Sequence, residues 1–199
     1  MKEWLKEIKE DKWWLAIVVG LTLYIEPLRA YSYLFIVSII SYHFLKYYFP
    51  PPKVKTLDKD GYKNFYQIQR NLDLVRDHLV RDGAKSYEKE LLVRTNKFGY
   101  QVDQLENLYA RLKAKLHSQP LKQRVEISED WYTYTSTALN YSEELKMNSQ
   151  GIYSMDFYPD KSDKDYDKKL EKLNEQERQQ SDLVLLAQEV EQKFKKLVR

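Results

Sequence analysis

The histidines are the side chains in this sequence best suited to proton transfer or metal binding near neutral pH. There are three, His43, His78 and His117, and none stands in a His-Glu-x-x-His pattern. The chain has no cysteine, which excludes disulfides, thiolate metal sites and a cysteine nucleophile. We expect His78 and His117 to be solvated. His43 lies in an uncharged run, where an ionisable group is a candidate for an ion path, although an interfacial hydrogen bond is the simpler interpretation.

A second candidate for chemistry is the aspartate-rich stretch 156–167, whose spacing is like that of a calcium-binding loop. A loop beginning at Asp163 would need Gly at its sixth position and Glu at its twelfth, where the sequence has Lys168 and Asn174. Phosphate-binding glycine loops and serine-nucleophile motifs are also missing. We therefore predict no enzymatic activity, no metal, no cofactor and no small-molecule substrate.

The charges are nearly balanced, with 33 Lys and Arg against 30 Asp and Glu and a net charge of +3. Basic residues alternate with acidic ones, which argues against binding to nucleic acid. The mean hydropathy of -0.70 hides a sharp division of the chain. The first 49 residues are mostly apolar, whereas the remaining 150 are rich in charge.

Two uncharged runs, Trp13–Ile25 and Ala30–Leu45, predict a transmembrane helical hairpin over residues 13–49. At 1.5 Å per residue they reach roughly 20 and 24 Å, against about 30 Å of hydrocarbon. Aromatic residues at the edges of the runs are expected to anchor them at the membrane interface. These anchors are Trp13, Trp14, Tyr24, Tyr31, Tyr47 and Tyr48.

The predicted hairpin turns at Glu26, Pro27 and Arg29, where the two charges can pair across the turn. Lysine and arginine number four before the hairpin, one in the turn and five after it. This asymmetry places both ends on the cytosolic or matrix side. Residues 1–12 are expected to form an amphipathic helix on the membrane surface. Two alternatives remain: a channel in which Glu26, Arg29 and His43 line the path, and a soluble binding module with the hairpin in its core.

The rest of the chain divides into a proline-rich spacer, 50–61, and a helical soluble domain, 62–199. Apolar residues at alternating spacings of three and four predict two long helices with coiled-coil-like seams. A third helix is expected after Ser128, and a highly charged last helix over 163–198. We interpret the seams as partner-facing. They consist of Phe65, Ile68, Leu72, Val75 and Leu79, followed by Phe98, Leu105, Leu112 and Leu116.

Two resemblances to known families involve the N-terminal part, and the second extends over most of the chain. Glu26-Pro27 with Tyr31 resembles the pore signature of mitochondrial calcium uniporters, although Leu23 and Thr22 replace the Asp and Trp of that signature. The layout of two short spans followed by charged helices is similar to the peripheral-stalk b subunit of mitochondrial ATP synthase. That resemblance implies a continuous stalk helix on the matrix side, from which the Pro50–Pro52 break departs.

The sequence thus predicts a mostly α protein with a membrane hairpin and an extended helical region. The expected function is that of a non-catalytic accessory subunit scaffolding a membrane complex. Its expected partners are other protein subunits and the lipid bilayer. A mitochondrial inner membrane, with a respiratory-chain or ATP-synthase assembly, is favoured over a bacterial plasma membrane. A small channel or transport protein is the alternative.

Overall fold

The computed structural model describes residues 20, 24, 29–81, 86–150, 161–162 and 164–199. Its described regular structure is helical, which confirms the mostly α prediction. The helices are α1 (Arg29–Tyr48), α2 (Pro52–Arg81), α3 (Ser86–Lys113), α4 (Leu121–Ser149) and α5 (Tyr166–Val198), with a short 3-10 turn at Leu116–Ser118. The predicted surface helix 1–12, the residues Trp13, Trp14, Glu26 and Pro27, and the stretch 151–160 lie outside the described residues.

Helices α2 to α5 pack into a four-helix bundle in which the closest neighbours, α2 and α4, run in the same direction. Lys53 pairs with Glu129 at one end, and His78 lies beside Ser149 at the other. In both pairs the contacting residues are slightly more than seventy positions apart in the sequence. Helix α3, which lies between α2 and α4 in the sequence, runs in the opposite direction. Asp58 near the start of α2 meets Lys113 at the end of α3.

Helix α5 completes the bundle by running parallel to α3 and antiparallel to α4. Arg94 and Lys115 of α3 and its following turn contact Glu177 and Val198, respectively. Lys193 pairs with Asp130 near the start of α4. Each of the four helices therefore contributes one face to a shared interior, which is the packing expected of amphipathic helices.

The seams expected to face partners lie inside the chain's own core. Eight of the nine residues are buried together and Phe65 packs against them. Helix α4 covers these seams with a buried face that includes Trp131, Thr135, Ala138, Tyr141 and Leu145. The partner-facing interpretation is corrected, because α4 and α5 supply enough apolar surface to bury both seams within one bundle.

The first bundle helix begins ten residues earlier than the seam pattern indicates. The sequence predicts a spacer over 50–61, but α2 starts at Pro52 and contains Gly61. Proline suits the first helical position because its fixed φ is already helical and its missing N–H would have no helical partner. The third predicted helix likewise starts early, at Leu121 directly after Pro120 rather than after Ser128.

Candidate functional site

Helix α1 exposes large apolar side chains around a broad arc of its circumference. Successive residues of an α-helix are turned by about 100°, so the exposed positions do not form a single narrow stripe. At least half of each of these side chains is open to solvent: Tyr33, Leu34, Val37, Ile40, Tyr42, Phe44, Leu45 and Tyr48. No described residue of α1 belongs to the bundle core. An exposed apolar surface of this size marks an interaction site.

None of the helices in the described ranges has both the length and the apolar character needed to cross a bilayer. The predicted transmembrane hairpin is therefore unsupported for its second run, which α1 contains. The reason lies in the polar groups that interrupt this run, since serines, tyrosines and His43 lower its hydropathy. The first run, Trp13–Ile25, falls almost entirely outside the described residues.

The C-terminal turn of α1 is clamped to the bundle by Arg124, a buried residue in the first turn of α4. Its guanidinium donates a hydrogen bond to the carbonyl oxygen of Tyr47 and lies 5.2 Å from the centre of the Tyr47 ring. The Tyr47 hydroxyl donates in turn to the carbonyl of Ser118 over 2.8 Å. A cation at a helix C-terminus stabilises the unpaired carbonyls there. This contact fixes where α1 leaves the bundle.

The structure describes some of the predicted interface anchors and ion-path residues and leaves others undescribed. Tyr24 is 92% exposed, Tyr48 is exposed, and Tyr47 is half-buried against the bundle. Arg29 and Tyr31 lie in α1, but their side chains are not among the described ones. His43 makes an edge contact with Tyr42 at 5.5 Å between ring centres. The predicted ion path through Glu26, Arg29 and His43 stays a prediction.

A polar cluster lies in the bundle close to the clamp. The carboxylate of Asp58 accepts hydrogen bonds from the hydroxyls of Tyr109 and, over 3.4 Å, Ser128. Lys113 lies 3.8 Å from the same carboxylate and 4.5 Å from the centre of the Tyr62 ring. Burial raises the pKa of Tyr109 far above its ordinary value, with the hydrogen bond to Asp58 acting in the same direction. Tyr109 is fully buried, whereas 45% of the Lys113 side chain is exposed, so the cluster joins α2, α3 and α4 and reaches the surface at Lys113.

A small cleft lies among three of the described helices. The cleft, between α3, α4 and α5, has a volume of about 10 Å³ and is lined by Leu91, Tyr141, Asn148 and Gln176 among others. That is space for roughly one water molecule. His78, expected to be solvated, is half-buried instead, and its Nδ1 lies 3.2 Å from the Ser149 hydroxyl. Within the described ranges, no three potential metal ligands come together.

Comparisons with models of protein families, with curated proteins and with solved structures found no match to this chain. The candidate functional site is therefore defined by geometry alone. It consists of the exposed apolar surface of α1 and the clamp formed by Tyr47, Ser118 and Arg124. The sequence pointed to α1 through its uncharged run, but it gave no signal for Arg124, whose partner lies 77 residues away.

Proposed function

We propose that this protein is a non-catalytic, membrane-anchored subunit that scaffolds a multi-subunit complex. The apolar segment 13–49, of which α1 is the described part, enters the lipid, and the four-helix bundle stands in water beside it. The single observation that carries this proposal is the broad apolar surface of α1, which has no cover among the described residues of the bundle.

The physical argument is the cost of leaving such a surface in water. Each square ångström of apolar surface removed from water contributes about 25 cal/mol, and α1 presents eight large side chains that are at least half exposed. The bundle, by contrast, buries its own seams and is covered with charge. This division suits a protein with one apolar membrane anchor and one water-exposed domain.

The proposed setting is an energy-transducing membrane, with a mitochondrial inner membrane favoured. The lysines on both sides of the apolar segment, four before it and five after it against one arginine in the turn, favour an orientation with both ends on the matrix or cytosolic side.

Two measurements on the full chain test the proposal. Alkaline carbonate extraction of native membranes is expected to leave the protein in the pellet, because lipid-embedded apolar surface resists it. Mild detergent extraction followed by a native gel is expected to show a complex much larger than 24.0 kDa. Release into the carbonate supernatant would contradict the anchor. Migration as a lone monomer would contradict the scaffold role.

A further inference from the structure

The charge of the bundle is strongly unequal between its two ends. The end from which α1 emerges is formed by residues 46–60, 111–130 and 190–199, which we call the proximal end. It carries 13 Lys and Arg against six Asp and Glu, a net charge of +7. Because the whole chain has a net charge of +3, the rest of the protein carries -4. The sequence alone does not reveal this asymmetry, since three separate segments create it.

Contacts between helices show that these segments meet at one end. Lys53 at the start of α2 pairs with Glu129 of α4, and Lys193 near the end of α5 pairs with Asp130. Lys115, just after α3, donates a 2.6 Å hydrogen bond to the carbonyl of Val198. The starts of α2 and α4 and the ends of α3 and α5 therefore form one surface.

Most of the acidic groups at the proximal end are already neutralised. Asp58, Glu129, Asp130 and Glu191 each form an ion pair with a lysine of the same end. Exposed basic side chains are left over, and no ion pair is found for them within the described ranges. They include Lys55, Lys59, Lys122 and Lys196. The excess positive charge therefore faces outward.

We infer that the proximal end binds the anionic headgroups of a lipid bilayer, so that the bundle stands end-on against a negatively charged membrane surface. This inference rests on the proposed function, because the clamp at Tyr47 places the apolar helix at the same end. Each lysine or arginine near an anionic membrane is attracted to it, and salt screens this attraction over about 10 Å at moderate ionic strength. Lipid phosphate is the partner that both the charge and the adjoining apolar helix fit.

Lysine acetylation on vesicles tests the inference with an internal control. The full chain is added to preformed vesicles of phosphatidylcholine, or of phosphatidylcholine mixed with phosphatidylglycerol. A membrane-impermeant acetylating reagent then reports the accessibility of each lysine by mass spectrometry. We expect Lys55, Lys59, Lys122 and Lys196 to react several-fold more slowly on the anionic vesicles at low salt. Exposed lysines at or towards the other end, Lys89, Lys97 and Lys168, are expected to react equally on both.

A pair of charge variants sharpens the test. The triple substitution Lys55→Gln, Lys122→Gln and Lys196→Gln is expected to abolish the protection of Lys59 on anionic vesicles. The matched triple substitution Lys89→Gln, Lys97→Gln and Lys168→Gln is expected to preserve it. All six side chains are exposed, so both variants should keep the helical bundle, which circular dichroism checks.

The outcomes separate the inference from the proposed function. Flotation on a density gradient reports whether the chain binds the vesicles at all. If the chain floats with both vesicle types but Lys59 reacts equally on both, the inference is overturned and the anchor stands. If Lys59 stays protected on anionic vesicles at high salt, the binding is not electrostatic and the inference is also overturned. If the chain floats with neither vesicle type, both the proposed function and the inference are overturned.

Discussion

Gly61 marks the closest approach between α2 and an aromatic side chain of α4. A Cβ at this position would lie 2.5 Å from Nε1 and 2.6 Å from Cδ1 of Trp131. The indole also stacks on the Tyr109 ring, with 4.6 Å between the ring centres. Trp131 therefore cannot move aside cheaply. A glycine that the sequence analysis assigns to the end of a spacer is therefore a packing requirement in a helix interior.

We expect Gly61→Ala to destabilise the bundle by about 1–3 kcal/mol, because the added methyl overpacks the core. Alanine favours helix over glycine by about 1 kcal/mol, so the steric cost has to exceed that gain. Urea denaturation followed by circular dichroism measures the difference. Gly99→Ala is the matched control, since its Cβ would meet the mobile end of Arg76 at 2.8 Å. A Gly61 variant as stable as the Gly99 variant would contradict the packing argument.

Buried tyrosines make the bundle sensitive to alkaline pH. Burial raises the pKa of Tyr141 to about 12 from 10.0, and burial with the nearby carboxylates of Glu106 and Asp58 raises that of Tyr62 to about 12. The unfolded chain loses these protons near pH 10, whereas the folded chain holds them to about pH 12. Stability present below pH 10 is therefore lost as the pH rises through this window.

We expect the urea midpoint to fall steadily as the pH rises from 10 to 12. Tyrosinate absorbance from Tyr141, isolated as the difference between the wild type and Tyr141→Phe, should appear together with the loss of helix rather than before it. Tyr141→Phe removes one of the titrating groups and is expected to make the decline shallower. The matched substitution Tyr132→Phe, at a more exposed site, should leave the decline unchanged. A midpoint independent of pH in this window would contradict the role of these hydroxyls.

Arg124 is expected to control how α1 is held. Substitution Arg124→Gln removes the guanidinium from the Tyr47 carbonyl, and hydrogen bonds to charged groups contribute about 1.5–3 kcal/mol. The junction 48–51 should then become more susceptible to limited proteolysis. Lys122→Gln, an exposed change in the same helical turn, should leave cleavage unchanged. Equal cleavage of both variants would show that the clamp does not hold α1.

At the scale of elements, polar pairs set the register between the parallel helices α2 and α4. Asn64, Asn71 and His78 stand seven residues apart on α2 and meet serines of α4. The central pair, Asn71 to Ser142 at 2.9 Å, is buried. A polar residue within an apolar seam penalises every register that leaves it unpaired. The spacing of seven thus aligns two helices that are not consecutive in sequence.

A double-mutant cycle on Asn71→Ala and Ser142→Ala tests this element. We expect Asn71→Ala to cost about 1–3 kcal/mol and the coupling energy of the pair to be about 0.5–1.5 kcal/mol. Asn64→Ala, at the half-exposed pair with Ser136, is expected to cost less. Thermal denaturation of the four proteins gives the coupling. Additive effects of the two changes would mean that the hydrogen bond does not join the helices.

The sequence predicts helices better than it predicts what they pack against. The seam from Phe65 to Leu79 is read correctly as one face of a helix, because apolar periodicity is a local property. Its partner is not local, since α4 covers it from about seventy residues further along the chain. The starts at Pro52 and Leu121 are missed because proline is read as a break where it opens a helix. The Arg124 clamp depends on the same long-range packing.

At the scale of the whole molecule, the apolar helix and the charged bundle are expected to respond independently to substitution. Val37→Asp with Ile40→Asp places two carboxylates on the exposed surface of α1, where 59% and 50% of the side chains are open. We expect this variant to shift from the membrane pellet to the carbonate supernatant. Burial of a charge in lipid costs about 2.5–3.5 kcal/mol per residue.

The control for this variant places the same charges on the bundle. Val80→Asp with Val93→Asp changes two residues that are 72% and 64% exposed. This control should remain in the membrane pellet, and both variants should keep the wild-type urea midpoint because none of the four side chains is in the core. Equal retention of both variants in the pellet would contradict attachment through α1.

The same-direction pairing of α2 and α4 also bears on how the protein is made. Residues that touch across this pair, such as Asn71 and Ser142, leave the ribosome about seventy positions apart. Closing so long a loop is entropically costly, so the pair forms late compared with local contacts. Phe194 of α5, fully buried against Tyr109, is needed to seal the interior. During synthesis, the apolar segment 13–49 therefore emerges before the bundle can close, and its surface stays exposed to water until lipid or another protein covers it.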